Sequence, residues 1–345
     1  MQKEGQQDLY LLYVDFSSAF NTIDHDKLLC VMHGLGFPED AIEVIAELYT
    51  DAITKIKLDF AETGPIKIER GTIQGDTLSP LLFLIFIEPL LRWLQSGGRG
   101  YKYGCLSKSL HADHTTSASA HADDMLAAAL SATDLARQAE KIEAFVNWSG
   151  MAVNVKKCAV TGILWGQARR NGSDKVLSSS MMKMLQQRLE TVKIYNTPIP
   201  FLHPHTEPYR YLGVDITPTF NWAPHLDRVL KEARRKGERL LMSPLSIKQK
   251  AQALDTVIGS CMAYSMPLGL MTLSDVSKCD AIKLNICKRI YKLPRSTPSA
   301  MIHQDRERAG LGLTSMNVMY AKLTCTYLTK ALNDKGPLGF VTRPI

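Results

Sequence analysis

Apolar residues recur along this chain with strand and helix spacings intermixed at first, and with helix spacing alone in the last third. Leu9 to Val14 is an unbroken apolar run of strand length, cut short by Asp15 and Ser17-Ser18, which predicts a buried strand. Asp24 to Gly34 and Pro38 to Tyr49 follow helical spacing, with Ile42, Val44, Ile45 and Leu48 on or near one face. Ile53 to Phe60 and Pro65 to Glu69 alternate around Thr63-Gly64 and predict a hairpin. Asp76 to Gln95 predicts a long apolar helix that Gly97-Gly98 ends. Gly98 to Ala118 reads as a polar loop feeding a second apolar segment, Ala118 to Leu130, with Asp123-Asp124 inside it.

Beyond that pair, Thr133 to Trp148 predicts a helix capped by Thr133, followed by a strand pair around Val153 and Val160 to Leu164. Residues 167–180 read as a polar connector. Val192 to Ile199 and Tyr211 to Ile216 are expected to pair with each other as strands across a Pro/His-rich loop. From His225 onward, Leu226 to Leu241, Ile247 to Tyr264 and Leu273 to Tyr291 all predict helices. The pattern is an α+β body, residues 1–220, joined near Pro218 to Pro224 to a mostly helical segment, residues 221–345.

Composition sharpens that division. Residues 1–224 hold 21 Lys/Arg and 25 Asp/Glu, a net −4, whereas residues 225–345 hold 20 and 9, a net +11. The chain's overall +7 therefore resides in its helical third, as expected of a nucleic-acid-gripping appendage on an acidic body; a solvated basic surface is the alternative. Lys231, Arg234, Arg235, Lys236 and Arg239 crowd one predicted helix, as a phosphate-tracking face, a nuclear import signal or a solvated surface would. At 345 residues and 45% hydrophobic, the chain is long enough for one large or two ordinary domains. Leu81 to Leu91, the longest apolar run, is broken by Glu88-Pro89 and is too short to span a bilayer. Seven cysteines without C-x-x-C spacing predict reduced thiols in an intracellular protein. Cys105, His111, His114 and His121 are too irregularly spaced to predict a zinc site.

Candidate chemistry rests on Asp15, Asp123 and Asp124. A carboxylate at the edge of an apolar core must be paired, protonated or bound to a cation. Three brought together would repel one another unless divalent metal lay between them, and hard oxygen ligands suit Mg2+. Such a layout serves two-metal phosphoryl transfer, although an Asp at a strand end or an Asp-Asp pair is also common in turns and helix caps.

Four stretches, in order, resemble the reverse transcriptases of non-LTR (LINE-type) retrotransposons. They are Tyr13 to Phe20, Arg70 to Pro80, Ala122-Asp123-Asp124 and Gly150 to Lys157, and a fifth, Tyr211-Leu212-Gly213-Val214, is similar to the family's primer-supporting strand. The resemblance covers roughly residues 8–217. It implies a polymerase palm, an antiparallel sheet backed by helices, followed by a helical thumb and a basic C-terminal region. It also implies RNA-directed DNA synthesis from a DNA primer, an RNA template and dNTPs, with two Mg2+ ions or Mn2+ in their place and no membrane partner. Asp15, Asp123, Asp124 and the Phe16 carbonyl would hold the metals. Phe20 would exclude a 2′-hydroxyl, and Arg70, Gln74 and Gly75 would line the substrate. Lys157 would assist the pyrophosphate leaving group, and Tyr211, Leu212 and Gly213 would support the primer. Glu307 to Leu313 resembles, less closely, a stretch downstream of such polymerase domains.

Two positions depart from the family pattern: Asn21 replaces the usual Asp, and His121 the usual Tyr or Phe. The chain also starts about a dozen residues before Asp15, so the family's fingers region is expected to lie outside it, and weak extension by this chain alone is the expectation. A decayed, non-catalytic remnant is the main rival reading. A palm-type RNA-dependent RNA polymerase is a further one, opposed by Phe20 and the Gln-Gly-x-x-Leu-Ser-Pro pattern.

Overall fold

A computed structural model describes residues 7–73, 75–103, 114–165, 169–171, 174–268 and 271–336 of the chain. The chain divides into two compact units between Tyr209 and Arg210. The division falls before Pro218 because Val214 already packs in the second unit's core. Gln74, Cys105 and His111 lie outside the described residues.

The first unit is built on a four-stranded antiparallel sheet of β1 (Leu9–Asp15), β2 (Ala118–His121), β3 (Asp124–Ala129) and β4 (Ala159–Ile163), in the order β2-β3-β1-β4. β1 is central and buried along almost its whole length, which is why its sequence is continuously apolar rather than alternating. In β3 the alternation is plain: Met125, Ala127 and Ala129 are buried while Asp124, Leu126 and Ala128 are less so. Against this face pack helices α1 (His25–Gly34), α2 (Glu39–Tyr49), α3 (Ser79–Ser96), α4 (Ala132–Ser149) and α5 (Ser179–Leu189), which share one core with Leu12, Val14, Met125 and Ala127.

Local chemistry sets the helix ends. Asp24 accepts the Lys27 N–H at the start of α1, and Ser131, not Thr133, accepts the Asp134 N–H at the start of α4. Gly150 closes α4 at a φ of 76°. The long apolar helix begins at Ser79 rather than Asp76, because the Asp76 side chain turns back to accept the Leu78 N–H and Ser79 Oγ donates to Ile73 O.

Several strand expectations are corrected. Val153 and β4 do not pair with each other: β4 pairs with β1, and Val153 bridges Phe16. Val192 to Ile199 forms its own hairpin, Lys193–Ile194 with Thr197–Pro198, because Tyr195 and Asn196 adopt left-handed φ values. Tyr209–Tyr211 likewise turns at Leu212-Gly213 and pairs with Val214–Ile216. The expected loop Gly98 to Ala118 contains a strand pair, Tyr101–Tyr103 with His114–Thr116. Within the expected connector 167–180, Arg169–Asn171 pairs with Asp174–Val176 and α5 begins. The Ile53 to Glu69 hairpin exists with short strands, Ile53–Thr54 and Ile66–Lys67.

The second unit consists of helices α6 (Ala223–Met242), α7 (Ile247–Ala253), α8 (Ser260–Ala263), α9 (Leu273–Ile290), α10 (Ser299–His303) and α11 (Met316–Asn333), around their own core. A π-helical turn, Leu254–Gly259, joins α7 to α8. Two buried groups on α9 hold the C-terminal segment. Asp280 accepts the Met316 N–H at 2.7 Å, and fully buried Lys283 reaches Thr314 O at 2.7 Å and Asp255 at 2.5 Å. The Glu307 to Leu313 stretch is a tight loop in which a Cβ on Gly310 would collide with Gln304 O. Among the described residues, no helix is long and apolar enough to cross a membrane, and the six described cysteines are unpaired.

Candidate active site

Strand register brings two of the three carboxylates together: Asp15, the last residue of β1, lies opposite Asp124, the first of β3. Asp15 directs its own backbone toward the β4 flank, where its N–H meets Cys158 Sγ at 3.4 Å and its carbonyl accepts the Asn154 N–H at 2.9 Å. The pair facing β3 is therefore a non-hydrogen-bonded one, the kind whose Cα atoms approach to about 4.5 Å and whose side chains stand closest. Asp123 lies in the β2–β3 turn, where His121 pairs with Asp124 and Ala122 adopts a φ of 53°. The Asp-Asp pair thus straddles the hairpin tip, with Asp123 in the turn and Asp124 opening β3.

The electrostatics follow from that crowding. Burial raises the Asp124 pKa above its ordinary value, and the charges of Asp123 and Asp15 raise it further, against a smaller lowering by His121. Beside it, burial pushes the Cys158 thiol up to about 11, so the sulfur next to Asp15 is a thiol rather than a competing thiolate.

Phe16 follows from the same ladder. Ser17 N–H donates to Ala152 O at 2.8 Å and Asn154 N–H to Asp15 O, so residues 15 and 17 face the Val153 segment. The intervening Phe16 carbonyl points to the opposite flank, toward the β3 hairpin. Its ring is buried in the core. The turn after Asn154 is closed by the Lys157 and Cys158 N–H groups on Asn154 O, and it delivers Lys157 Nζ to 3.8 Å from Asp15 Oδ2. Lys157 is exposed, so this pair adds little stability.

Phe20 lies in a short 3-10 turn, half-buried, with its ring 4.7 Å from that of Phe83 on α3. Its carbonyl accepts the Thr72 N–H at 2.9 Å, and Ile23 O accepts the Gly71 N–H at 2.8 Å. The segment that carries Arg70 and Gly75 is therefore tied to the segment after Asp15. Arg70 reaches Asp24 at 3.8 Å and remains more than half exposed. Gly75 has a φ of 88° with open space around its missing Cβ. Two contributors escape sequence reasoning. His25 Nε2 bonds Gly71 O at 2.8 Å while its ring stacks on Tyr49, and Gly71, at φ 85°, admits no Cβ because one would lie 2.7 Å from Asn21 Cα. The glycine at the head of the Gly71 to Pro80 run is the available signal; His25 offers none.

Among the described residues, no three His, Cys, Asp or Glu side chains already form a metal-holding group. The donor set still suits a hard divalent cation: carboxylate oxygens on neighbouring strand ends, one of them with its charged form disfavoured by burial and then by the others.

In the second unit, Tyr211, Leu212 and Gly213 form the end and turn of the Tyr209–Ile216 hairpin. The five basic residues all lie on α6. Lys231 pairs with Asp227 at 2.7 Å, while Arg235 and Lys236 share Glu232 at 2.6 and 3.7 Å. Arg234 and Arg239 make no ion pair among the described residues.

An antiparallel sheet backed by helices, with carboxylates gathered where its two central strands end and begin, defines a polymerase palm. The chain belongs to the reverse transcriptase family: the family model described as "Reverse transcriptase (RNA-dependent DNA polymerase)" matches residues 1–216. Among its relatives is the retrovirus-related Pol polyprotein from the type-2 retrotransposable element R2DM of Drosophila melanogaster, 27% identical over 89% of this chain and 27% of that protein. The Pol polyprotein from the type-1 retrotransposable element R2 of Bradysia coprophila is 23% identical over 97% of this chain and 35% of its own length. Both relatives belong to retrotransposable elements, and the chain spans about a third of their length or less. A solved telomerase from Candida tropicalis, in complex with a TWJ fragment of telomeric RNA, aligns at a TM-score of 0.38 and 12% identity. That alignment covers 99% of this chain and 49% of the telomerase, a likeness too slight to bear on function.

Proposed function

We propose that the chain carries the nucleotidyl-transfer centre of an RNA-directed DNA polymerase of the non-LTR type. The primer 3′-hydroxyl would attack the α-phosphorus of a dNTP paired to an RNA template. A new P–O bond forms, the bond to the β-phosphate oxygen breaks, and pyrophosphate leaves. The observation that carries this reading is the side-by-side register of Asp15 and Asp124 with Asp123 in the adjoining turn. Asp15, Asp123, Asp124 and the Phe16 carbonyl would hold two Mg2+ ions, or Mn2+. When bound, such ions lower the pKa of the attacking hydroxyl and neutralise the leaving group.

The remaining roles belong to the chain's own side chains. Phe20, wedged on Phe83, would close the space beside the nucleotide sugar against a 2′-hydroxyl. Arg70, Gln74 and Gly75 would line the base pair and triphosphate, and Lys157 would protonate or stabilise the pyrophosphate. Tyr211, Leu212 and Gly213 would support the primer end, and the α6 cations would follow the duplex backbone. The rival reading, a folded remnant that does not extend primers, is favoured by Asn21 and His121, which depart from the family pattern on either side of the carboxylates.

Primer extension by the wild type separates the two, and Asp123→Asn and Asp124→Asn then test the metal assignment. Each should abolish primer extension and the Mg2+-dependent rise in melting temperature that ligand binding gives the wild type. Turnover above about a tenth of wild type in either variant, a loss of only about 1.4 kcal/mol in barrier terms, would overturn the assignment.

A further inference from the structure

The turn of the Tyr209–Ile216 hairpin is held in an unusual way. Leu212 and Gly213 both adopt left-handed φ values, 49° and 79°. Asn-Gly or Gly-Gly makes such a turn at low cost, whereas a leucine in the left-handed region is strained and persists only where its surroundings fix it. Those surroundings are specific. The hydroxyl of Tyr264, the residue that closes α8, donates to Leu212 O at 2.9 Å. Its ring also lies against Gly213, 3.6 Å from where a Cβ would be. From α6, Arg228 Nη2 donates to Gly213 O at 2.9 Å while its Nε donates to Asp215 Oδ2 at 2.5 Å.

Behind Arg228, His225 completes the mounting. Its Nδ1 lies 3.1 Å from the Asp215 backbone nitrogen, whose N–H donates to it, 3.1 Å from Arg228 Nη2 and 3.3 Å from Asp215 Oδ2, and the two nitrogen donors favour an unprotonated Nδ1. Burial and the neighbouring Arg228 charge lower its pKa in the same sense. Asp215 is buried, and its carboxylate accepts from Arg228 while its backbone N–H donates to His225. The two carbonyls at the turn, which an ordinary hairpin leaves to water, are thus each held by a side chain from a different helix. Tyr264 is 63% exposed, yet its hydroxyl is engaged on Leu212 O.

We propose that Arg228 and Tyr264 are positioning residues for polymerisation: they fix the Leu212-Gly213 turn through its two carbonyls, so that the hairpin offers a rigid support to the primer terminus. The proposal rests on the polymerase reading above. Neither residue touches the reacting atoms. Both act through the turn, and a displaced support would misplace the 3′-hydroxyl without removing the duplex or the nucleotide.

The test uses the full chain with Tyr264→Phe, which deletes only the hydroxyl, and Arg228→Lys, which keeps the charge for Asp215 but loses the planar fork that serves two acceptors. Duplex affinity, the KM for dNTP, kcat and the fluorescence of 2-aminopurine at the primer 3′ end are measured together. We expect kcat to fall at least fivefold and the terminus signal to lose its wild-type value. Duplex affinity, KM for dNTP and melting temperature should stay close to wild type, a split that a merely structural contact would not give. Unchanged kcat and unchanged terminus fluorescence in both variants would overturn the proposal. Should the wild type bind duplex without extending it, the terminus signal alone decides. A wild type that neither binds nor extends overturns the polymerase reading first, and this proposal with it.

Discussion

At the scale of single residues, the candidate site is marked by one carboxylate, Asp124, whose surroundings oppose its ionisation. Asp124 has its pKa raised in the folded chain by burial, then by Asp123 and Asp15. The sign for stability is opposite to that of a paired carboxylate: ionising Asp124 costs folding energy. The cost is absent below the unfolded-state pKa, appears as pH rises toward the folded-state value, and is complete above it. Without divalent cation, Asp124→Asn should therefore melt at or above the wild-type temperature at neutral pH. The difference should shrink as pH falls below the ordinary carboxylate range, and added Mg2+ should close or reverse it by stabilising the wild type alone. A variant that melts well below wild type at neutral pH without metal would show that Asp124 makes a structural bond instead. Phe20 poses a similar choice between chemistry and packing. Phe20→Ala should cost less than the roughly 3–5 kcal/mol of a fully buried ring, since the side chain is only half-buried. If it guards the sugar, the same change should raise kcat/KM for ribonucleotides relative to deoxynucleotides. An unchanged ratio would leave Phe20 as a packing partner of Phe83.

At the scale of elements, glycine placement decides whether the site segments can approach at all. A Cβ on Gly71 would meet three Asn21 backbone atoms within 2.7–2.9 Å, and its φ of 85° is unfavourable to any side chain. Gly75 shares the φ but has open space, and Gly64 has neither constraint. Gly71→Ala should therefore destabilise most, Gly75→Ala by about the 1–2 kcal/mol of a left-handed non-glycine residue, and Gly64→Ala hardly at all. Urea midpoints at constant slope would rank them, and a Gly71→Ala variant as stable as Gly64→Ala would contradict the close approach. Such constraints are legible in the sequence only where periodicity or a motif marks them. β1 and the long helices are visible because a continuous run or a helical stripe is a local signal. Helix α5 is hidden, although Ser178 caps it and Leu185 and Leu189 are buried, because its polar approach masks the stripe. For Val192 to Ile199 and Tyr211 to Ile216 the expected pairing fails, since alternation names a strand but not its neighbour. The left-handed residues Tyr195-Asn196 and Leu212-Gly213 close each hairpin on itself instead. The placement of Asp123 in a turn depends on Ala122 entering the left-handed region, which alanine seldom does and which no local pattern announces.

At the scale of the whole molecule, charge is divided by sequence: net −4 over residues 1–224 and net +11 over residues 225–345. The structure shows that a raw count overstates what the basic helix offers to a polyanion. Lys231, Arg235 and Lys236 are each paired with an acid on the same face, whereas among the described residues Arg234 and Arg239 make no ion pair, the Arg239 charge acting on Glu232 only from a distance. An exposed pair of this kind contributes about 0.2–1 kcal/mol to folding, but a phosphate must compete with the carboxylate already there. Counterion release then makes a quantitative distinction. Every phosphate that is no longer neutralised lowers the slope of log K against log salt by roughly 0.9 on B-DNA, and a heteroduplex should follow the same trend. Replacing Arg234 and Arg239 with Gln should reduce the slope by nearly twice that amount. Arg235→Gln should reduce it by less than one such step, because it also frees Glu232 to repel the backbone or turn to Lys236. Binding to an RNA–DNA duplex, measured across salt concentrations with the Asp124→Asn chain to prevent turnover, provides the check. Equal slopes for the Arg234/Arg239 double variant and its parent would mean that this helix faces solvent. The +11 excess would then act as a diffuse field that attracts nucleic acid without gripping it.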